Sequence, residues 1–380
     1  MNIHKASFML SALLMFQSVA ADVPQYEVIQ SPAPISAYGN IMRMTVDSEN
    51  LDGKVTVDVW TPTGYDAADG KRYPVIYAHD GQNLFDASFS FAGVAWAIDK
   101  ACAGLAGDPD FLMPIIVGIN NRGAEGLRAN DYFPEKAIDY IAPERMADTF
   151  IFDTCGGTFF GDEEAAFVAT ELKPLIDNLF NTSPEVSATF AMGSSMGALA
   201  SIYLLCEYPD IFGGAACIST HWIGSLHLNA DYTLNDDEVC ADAILRYLDE
   251  HLPSAGAHRL YLDQGTTGWD AQYLKYEAAA RTITRSKGYS EGDCSLCVYD
   301  AVGAGHNEWY WQQRADVPLR FLLSKKAIGS TGFEDIAAGM ENAETPNYIY
   351  DLSGRRYPAS DSGSLQPGIY IQDRRASIKR

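Results

Sequence analysis

Gly193-Ser194-Ser195-Met196-Gly197 match the pattern G-x-S-x-G, and the chemistry such a pattern offers is nucleophilic attack by a serine hydroxyl. The stretch lies between an apolar run, residues 187–192 (SATFAM), and a helix-like run, residues 198–208 (ALASIYLLCEY). That strand–turn–helix context suits a sharp elbow on which the serine takes strained backbone angles and only small neighbours leave room for the bend. A serine needs a base to take its proton, and the base needs a third group to orient it. In chains built this way the acid and then the histidine follow the serine, after the last two core strands. Among seven histidines, His306 lies in Gly303-Ala304-Gly305-His306-Asn307, after the last predicted strand and before a helical pattern, and is the expected base. Asp270, in the loop beyond a predicted strand at 259–263, is the preferred acid; Asp263, at the end of that strand, is the alternative. The developing oxyanion calls for the backbone N–H of Met196 and a second N–H from the loop after residues 74–78, near Gly81-Gln82. His79 and Asp80 in that loop read as loop hydrogen-bonding residues rather than proton-transfer groups. Trp222 and Trp269 are candidates for the walls of a substrate cleft, with plain packing as the competing reading.

These residues need a scaffold that brings strand ends together. Alternating segments at 41–46 and 54–60 predict antiparallel strands joined by a turn at Asp52-Gly53. Apolar runs at 74–78, 114–118, 187–192, 214–218, 259–263 and 296–302 predict further strands. Helical patterns cover 94–102, 163–179, 196–208, 241–251, 271–286 and 308–323. Strands alternating with helices imply an α/β fold with a mainly parallel central sheet covered by helices on both faces. Catalytic loops then belong at the carboxyl ends of the strands.

The chain has 380 residues, 47% of them hydrophobic, which is ample for a buried core. Its formal charge of −23 argues against nucleic acid and anionic membrane as partners, since both need a basic footprint. Residues 1–20 read as an export signal, with Lys5 as the positive region, residues 8–16 (FMLSALLMF) as the apolar region and Ser18-Val19-Ala20 as the cleavage site. The expected location is therefore the periplasm, the cell surface or the extracellular space. Seven cysteines do not make a disulfide scaffold at this length. Cys206 and Cys217 read as buried thiols, Cys294 and Cys297 as a local disulfide or inert thiols, and Cys102, Cys155 and Cys240 could pair. No metal or organic cofactor is called for. The pattern of core elements stops near Ser324. Residues 325–345 read as a linker, and residues 346–380 as a small β-rich segment with strands at 348–352 and 368–372.

Taken with its neighbours, the elbow belongs to an ordered set of motifs: YPVIYAHDGQNLFD (73–86), PIIVGINNRG (114–123), DYFPEK (131–136), ELKPLID (171–177), MGSSMGALASIYLLCEYPDIFGGAACISTHW (192–222), LYLDQGTTGWD (260–270) and GAGHNEWYWQQR (303–314). Together they resemble the putative-esterase (esterase D-like) group of α/β-hydrolases, which includes feruloyl, acetyl xylan and enterobactin esterases, over roughly residues 40–324. The resemblance implies an α/β-hydrolase domain at 21–324, with Ser195 matching the family nucleophile and His306 the family histidine. Ala198 departs from the pattern, in which a second glycine often follows the elbow. Residues 349–356 and 367–371 are similar to C-terminal segments of exported Bacteroidetes proteins, some of which act as sorting signals for secretion machinery. The expectation is a secreted serine carboxylic-ester hydrolase acting through an acyl-enzyme on acyl or feruloyl esters of polysaccharides. The alternatives are a siderophore esterase or acyltransferase on the same scaffold, or a non-catalytic glycan-binding protein.

Overall fold

A computed structural model of the chain describes residues 23–326 together with the strand segments 348–351, 356–358, 368–372 and 375–379. The expected export signal at 1–20 lies outside the described residues, as does the expected linker apart from Lys325 and Lys326. Nine strands form one sheet, namely β1 (Tyr26–Val28), β2 (Gly39–Ser48), β3 (Gly53–Pro62), β4 (Val75–His79), β5 (Ile115–Ile119), β6 (Thr189–Ser194), β7 (Gly214–Ile218), β8 (Arg259–Gly265) and β9 (Leu296–Ala301). Their order across the sheet is β1-β2-β3-β5-β4-β6-β7-β8-β9. The first three form an antiparallel ribbon that joins β5 through β3, and every pairing from β5 to β9 is parallel. The β2–β3 turn passes through Asp52 in the left-handed region, φ 46°.

The parallel strands read as unbroken apolar runs because both of their faces are buried, and their side chains alternate strictly between two cores. Val75, Tyr77, Val117, Ala191, Cys217, Leu260 and Leu262 point to one side, where they meet Leu199, Ile202 and Tyr203 of the helix Met196–Glu207 and Ile244 and Leu248 of the helix Glu238–His251. Ile76, Ala78, Ile116, Met192, Ile218 and Tyr261 point to the other, against Ile98 and Cys102 of the helix Ile98–Leu105 and Leu319 and Phe321 of the helix Asp316–Leu322. The elbow helix is buried from Met196 through Cys206, so it packs as a core element rather than an amphipathic one.

Two helical segments expected to be continuous are interrupted. The stretch 163–179 has a wide π-helical turn at Phe167–Leu172 between the helices Gly161–Ala166 and Lys173–Leu179. Pro174 follows that turn and has no N–H to return to the preceding one, so the hydrogen-bond register shifts. The stretch 308–323 divides into Glu308–Gln312 and Asp316–Leu322, with Pro318 in the first turn of the second helix, where a missing N–H is tolerated. The C-terminal segments form a separate four-stranded antiparallel sheet of β10 (Tyr348–Asp351), β11 (Arg356–Pro358), β12 (Gly368–Gln372) and β13 (Arg375–Lys379), in the order β11-β10-β12-β13.

All seven cysteines are buried. Cys297 is an unbridged thiol, so of the two readings offered for Cys294 and Cys297 the local disulfide does not form, and Cys102, Cys155 and Cys240 are likewise unbridged. Among the described residues no helix is long and apolar enough to cross a membrane.

Gly81 fixes how the loop after β4 lies on the sheet, because a Cβ there would overlap the backbone of Gly118 in β5. Gly81→Ala is expected to cost about 1–3 kcal/mol of stability by overpacking. The measurement is the midpoint of urea unfolding, which should fall at unchanged m-value.

Candidate active site

The carboxyl ends of β4, β6, β7, β8 and β9 lie along one edge of the sheet, and the loops that leave them carry the side chains of interest. Ser195 joins β6 to the elbow helix with φ 56° and ψ −125°, a region that non-glycine residues rarely occupy. Backbone hydrogen bonds hold it there: Ser195 N donates to Ile218 O at 3.0 Å, and His221 N donates to Ser195 O at 3.2 Å. Gly193 and Gly197 meet across the bend, where a Cβ on Gly193 would overlap the Gly197 carbonyl. The small residues of the motif are therefore a packing requirement.

His306 reaches the elbow from the loop after β9. Its Nε2 lies 2.8 Å from Ser195 Oγ, and its Nδ1 lies 2.6 Å from Asp270 Oδ1. Asp270 is the first residue of the helix Asp270–Ser286, five residues beyond β8. The imidazole is enclosed by the rings of Trp311, Tyr273 and Trp269, with centroids 5.1, 5.5 and 5.7 Å away. Because a carboxylate only accepts, Nδ1–H donates to Asp270, and the Nε2 lone pair faces the serine hydroxyl. Asp270 Oδ2 accepts from Gly265 N at 2.6 Å and from Ser219 Oγ at 2.7 Å. Burial alone would raise the Asp270 carboxyl; its hydrogen bond to His306, the charge of that ring, and the bonds from Ser219 and Gly265 outweigh burial and hold it below the usual carboxylate range.

Asp263 is the other carboxylate offered by the sequence, and its side chain takes different partners. It forms a two-pronged ion pair with Arg314, Nε to Oδ2 at 2.9 Å and Nη2 to Oδ1 at 3.0 Å, and accepts from Tyr261 Oη at 2.7 Å. Next to the elbow, His221 donates through Nε2 to Ser225 O at 2.9 Å and accepts at Nδ1 from Tyr273 Oη at 2.6 Å. Burial, helped by the charge of His306, pushes His221 down to about 3, so it is a neutral brace.

Met196 opens the elbow helix and Gly81-Gln82 open the short 3₁₀ turn Gly81–Asn83, and N–H groups at such positions have no partner within their own turn. The two segments abut: a Cβ on Gly197 would sit 3.2 Å from Asp80 Oδ2 and from His79 Cβ. His79 and Asp80 are fully engaged. Ser201 Oγ donates to Gly197 O at 2.7 Å, so His79 Nδ1 must donate to Ser201 Oγ at 2.8 Å, while His79 Nε2 faces Glu164 Oε1 at 3.1 Å. Asp80, at φ 59°, accepts from Arg128 Nε at 2.8 Å and Nη2 at 2.6 Å.

The two tryptophans differ. Trp269 stands beside His306, its Nε1 donating to Tyr232 O at 3.1 Å. Trp222 is not on a cleft wall. It is fully buried, and its Nε1 donates to Glu277 Oε2 at 2.6 Å, because the chain after β7 turns inward and the indole N–H needs a partner inside the core. Sequence reasoning did not single out Ser219, Arg314 or Arg128. Ser219 and Arg314 lie within motif blocks already noted, and the usable signal was a lone arginine shortly after the aromatic residues at 309–311. Among the described residues no group of three or more His, Cys, Asp or Glu side chains is placed to hold a metal ion.

The sequence model of the family described as Putative esterase matches residues 48–321. The chain belongs to this family. It is an esterase, a carboxylic ester hydrolase. A relative from Bacillus subtilis (strain 168), "Uncharacterized protein YbbA", is 22% identical over 285 residues, covering 73% of this chain and 96% of its own. A solved ferulic acid esterase is similar with a TM-score of 0.52 at 18% identity, covering 75% of this chain and 98% of its own. The enterobactin esterase FES from Shigella flexneri gives 0.52 at 17% identity over 77% of this chain, and the match spans 60% of its length. At these identities the likeness to the solved structures is one of fold.

Glu277, beneath the Trp222 loop, is pushed by burial up to about 7 from an ordinary 4.5, against the opposing effects of Arg281 and Trp222. With the folded value above the unfolded one, the folded protein keeps a proton that the unfolded chain has released. This site's contribution to stability is therefore lost as pH rises from about 4.5 to about 7. Melting temperatures across that window should fall more steeply in the wild type than in Glu277→Gln, and equal slopes would contradict the assignment.

Proposed function

We propose that Ser195 is the nucleophile of an acyl-enzyme mechanism, with His306 as general base and acid and Asp270 as the group that orients His306. The observation that carries this reading is the continuous hydrogen-bond chain from Ser195 Oγ through both ring nitrogens of His306 to a buried carboxylate. Ser195 Oγ bonds to the carbonyl carbon of the ester as its proton passes to His306 Nε2. The carbonyl oxygen, now carrying the negative charge, is met by the N–H of Met196 and by an N–H of Gly81 or Gln82. Collapse breaks the bond to the alkoxy oxygen, which leaves as the alcohol with the proton from His306. Water then repeats the sequence on the acyl-serine, its proton going first to His306 and then back to Ser195 as the acid departs.

The substrate we infer is an acyl or feruloyl ester of a polysaccharide. Support comes from the exposed aromatic groups Tyr232, in the loop that Trp269 contacts, and Trp309, in the short helix after His306, with the partly exposed Trp269, and from the shared fold with a ferulic acid esterase. Ester-linked siderophores are the competing class, supported by the likeness to the enterobactin esterase. Comparing turnover of acetylated xylan, methyl ferulate and a ferric catecholate ester separates the two, with the highest kcat/KM expected on one of the first two. A fluorophosphonate probe should label Ser195, and Ser195→Ala should lose labelling and fall by about 10⁴-fold or more in kcat. Full activity in Ser195→Ala would end the proposal. We also read the protein as exported, on the character of residues 1–20. Its mass when recovered from the cell envelope or medium should correspond to a chain starting at Ala21 or Asp22.

A further inference from the structure

We propose that Ser219, Arg314 and Asp263 form a positioning relay that fixes the orientation of the Asp270 carboxylate and, through it, of His306. The inference rests on the reading of Ser195, His306 and Asp270 as the reacting set, and adds to it three residues that touch neither the substrate nor the serine.

The direction of each hydrogen bond in the relay is forced. Arg314 has only donors, and its Nη2 lies 2.8 Å from Ser219 Oγ, so the hydroxyl oxygen accepts there. The single proton of Ser219 is then left for Asp270 Oδ2, 2.7 Å away. Arg314 cannot swing aside. Asp263 grips it with both oxygens, its Nη1 donates to Tyr310 O at 3.1 Å, and it is buried with Asp263 and Ser219. Asp263 also accepts from Ser219 N at 3.0 Å, so the same carboxylate holds the backbone and, through Arg314, the hydroxyl of Ser219. Ser219 itself sits at φ 44°, a conformation costly for a residue with a Cβ, and this aims its side chain at Asp270. With Oδ2 filled by Ser219 and Gly265, only Oδ1 remains for His306. A carboxylate free to rotate would share its two oxygens with the ring, and the Nε2 lone pair would spend less time on line with Ser195.

The charges around this relay are all placed. Asp270 faces His306, Ser219 and Gly265 N. Arg314 faces Asp263, Tyr310 O and Ser219. His306 faces Asp270, Ser195 and the rings of Trp269, Tyr273 and Trp311, with His221 beyond. Asp263, which the sequence offers as a rival catalytic acid, is on this account the counter-ion of the arginine that orients the true acid's partner.

The test is a double-mutant cycle on the full-length enzyme with an ester substrate. Ser219→Ala should lower kcat by about 10- to 100-fold, the usual scale for one hydrogen bond to a charged group, at nearly unchanged KM. In an Asp270→Asn background the same change should have little further effect, because there is no longer a carboxylate to orient. Ser219→Gly separates the hydroxyl from the backbone, since glycine accepts the positive φ without strain and still lacks the oxygen, so it should lose as much kcat as Ser219→Ala. The downfield proton resonance of His306 Nδ1–H should move or broaden in Ser219→Ala, and Arg314→Lys should retain more activity than Arg314→Met. The relay is overturned by wild-type kcat in Ser219→Ala, by recovery in Ser219→Gly, or by losses that multiply in the double mutant. Wild-type kcat in Asp270→Asn would instead remove the underlying role of Asp270, and the relay with it.

Discussion

The Asp270 carboxylate is removed from solvent, and its negative charge has to be met inside the protein. Three separate pieces of chain do so: the end of β8 through Gly265 N, the residue after β7 through Ser219, and the loop after β9 through His306. Each of these pieces lies at or just beyond the end of a different strand, and they meet only because β7, β8 and β9 run parallel and end along the same edge. The parallel sheet is thus the condition for satisfying one buried charge. Removing any one donor leaves a charged oxygen short of a partner in a medium where that is expensive.

A second constraint works at the centre of the sheet. The elbow brings Ser195 to the surface of β6 at an unfavourable pair of backbone angles, and the cost is borne by what surrounds it. The helix that follows is buried through Cys206, the glycines on either side leave no space for a side chain at residue 193, and β7 and its following loop clasp the serine backbone from both ends. On the neighbouring strand the same close fit recurs, with Gly81 against Gly118 and the Ser201–His79–Glu164 chain tying the end of β4 to the elbow helix. The serine and the N–H groups beside it are therefore set by one packed unit rather than by flexible loops.

Much of this was legible in the sequence, for identifiable reasons. The parallel strands stand out because burial on both faces makes them continuous apolar runs, and the elbow stands out because its geometry tolerates only small residues. The breaks at 167–172 and 313–315 were not legible, since helical periodicity continues across both and the interruption depends on which carbonyl a proline leaves without a donor. Trp222 and Trp269 look alike as aromatics after strands; the direction of the following turn sends one into the core and leaves the other beside His306. The different surroundings of Asp263 and Asp270 had a usable clue in strand parity. Asp263 shares a sheet face with Tyr261, two residues earlier, whose hydroxyl donates to it, whereas Asp270 lies beyond the strand and is free of that alternation. What parity could not supply was Arg314, the partner brought in from fifty-one residues downstream.

The buried cysteines separate the chemical vulnerability of the native protein from that of its unfolded chain. Burial pushes the thiol of Cys155 up to about 12 and those of Cys102, Cys206, Cys217, Cys240 and Cys297 upward as well. Thiolates are the species that attack disulfides and react with oxidants, so burial makes these six thiols poor nucleophiles in the folded enzyme. An unfolded chain regains seven ordinary thiols and can mispair them. Burial within the fold is then what keeps these thiols from reacting.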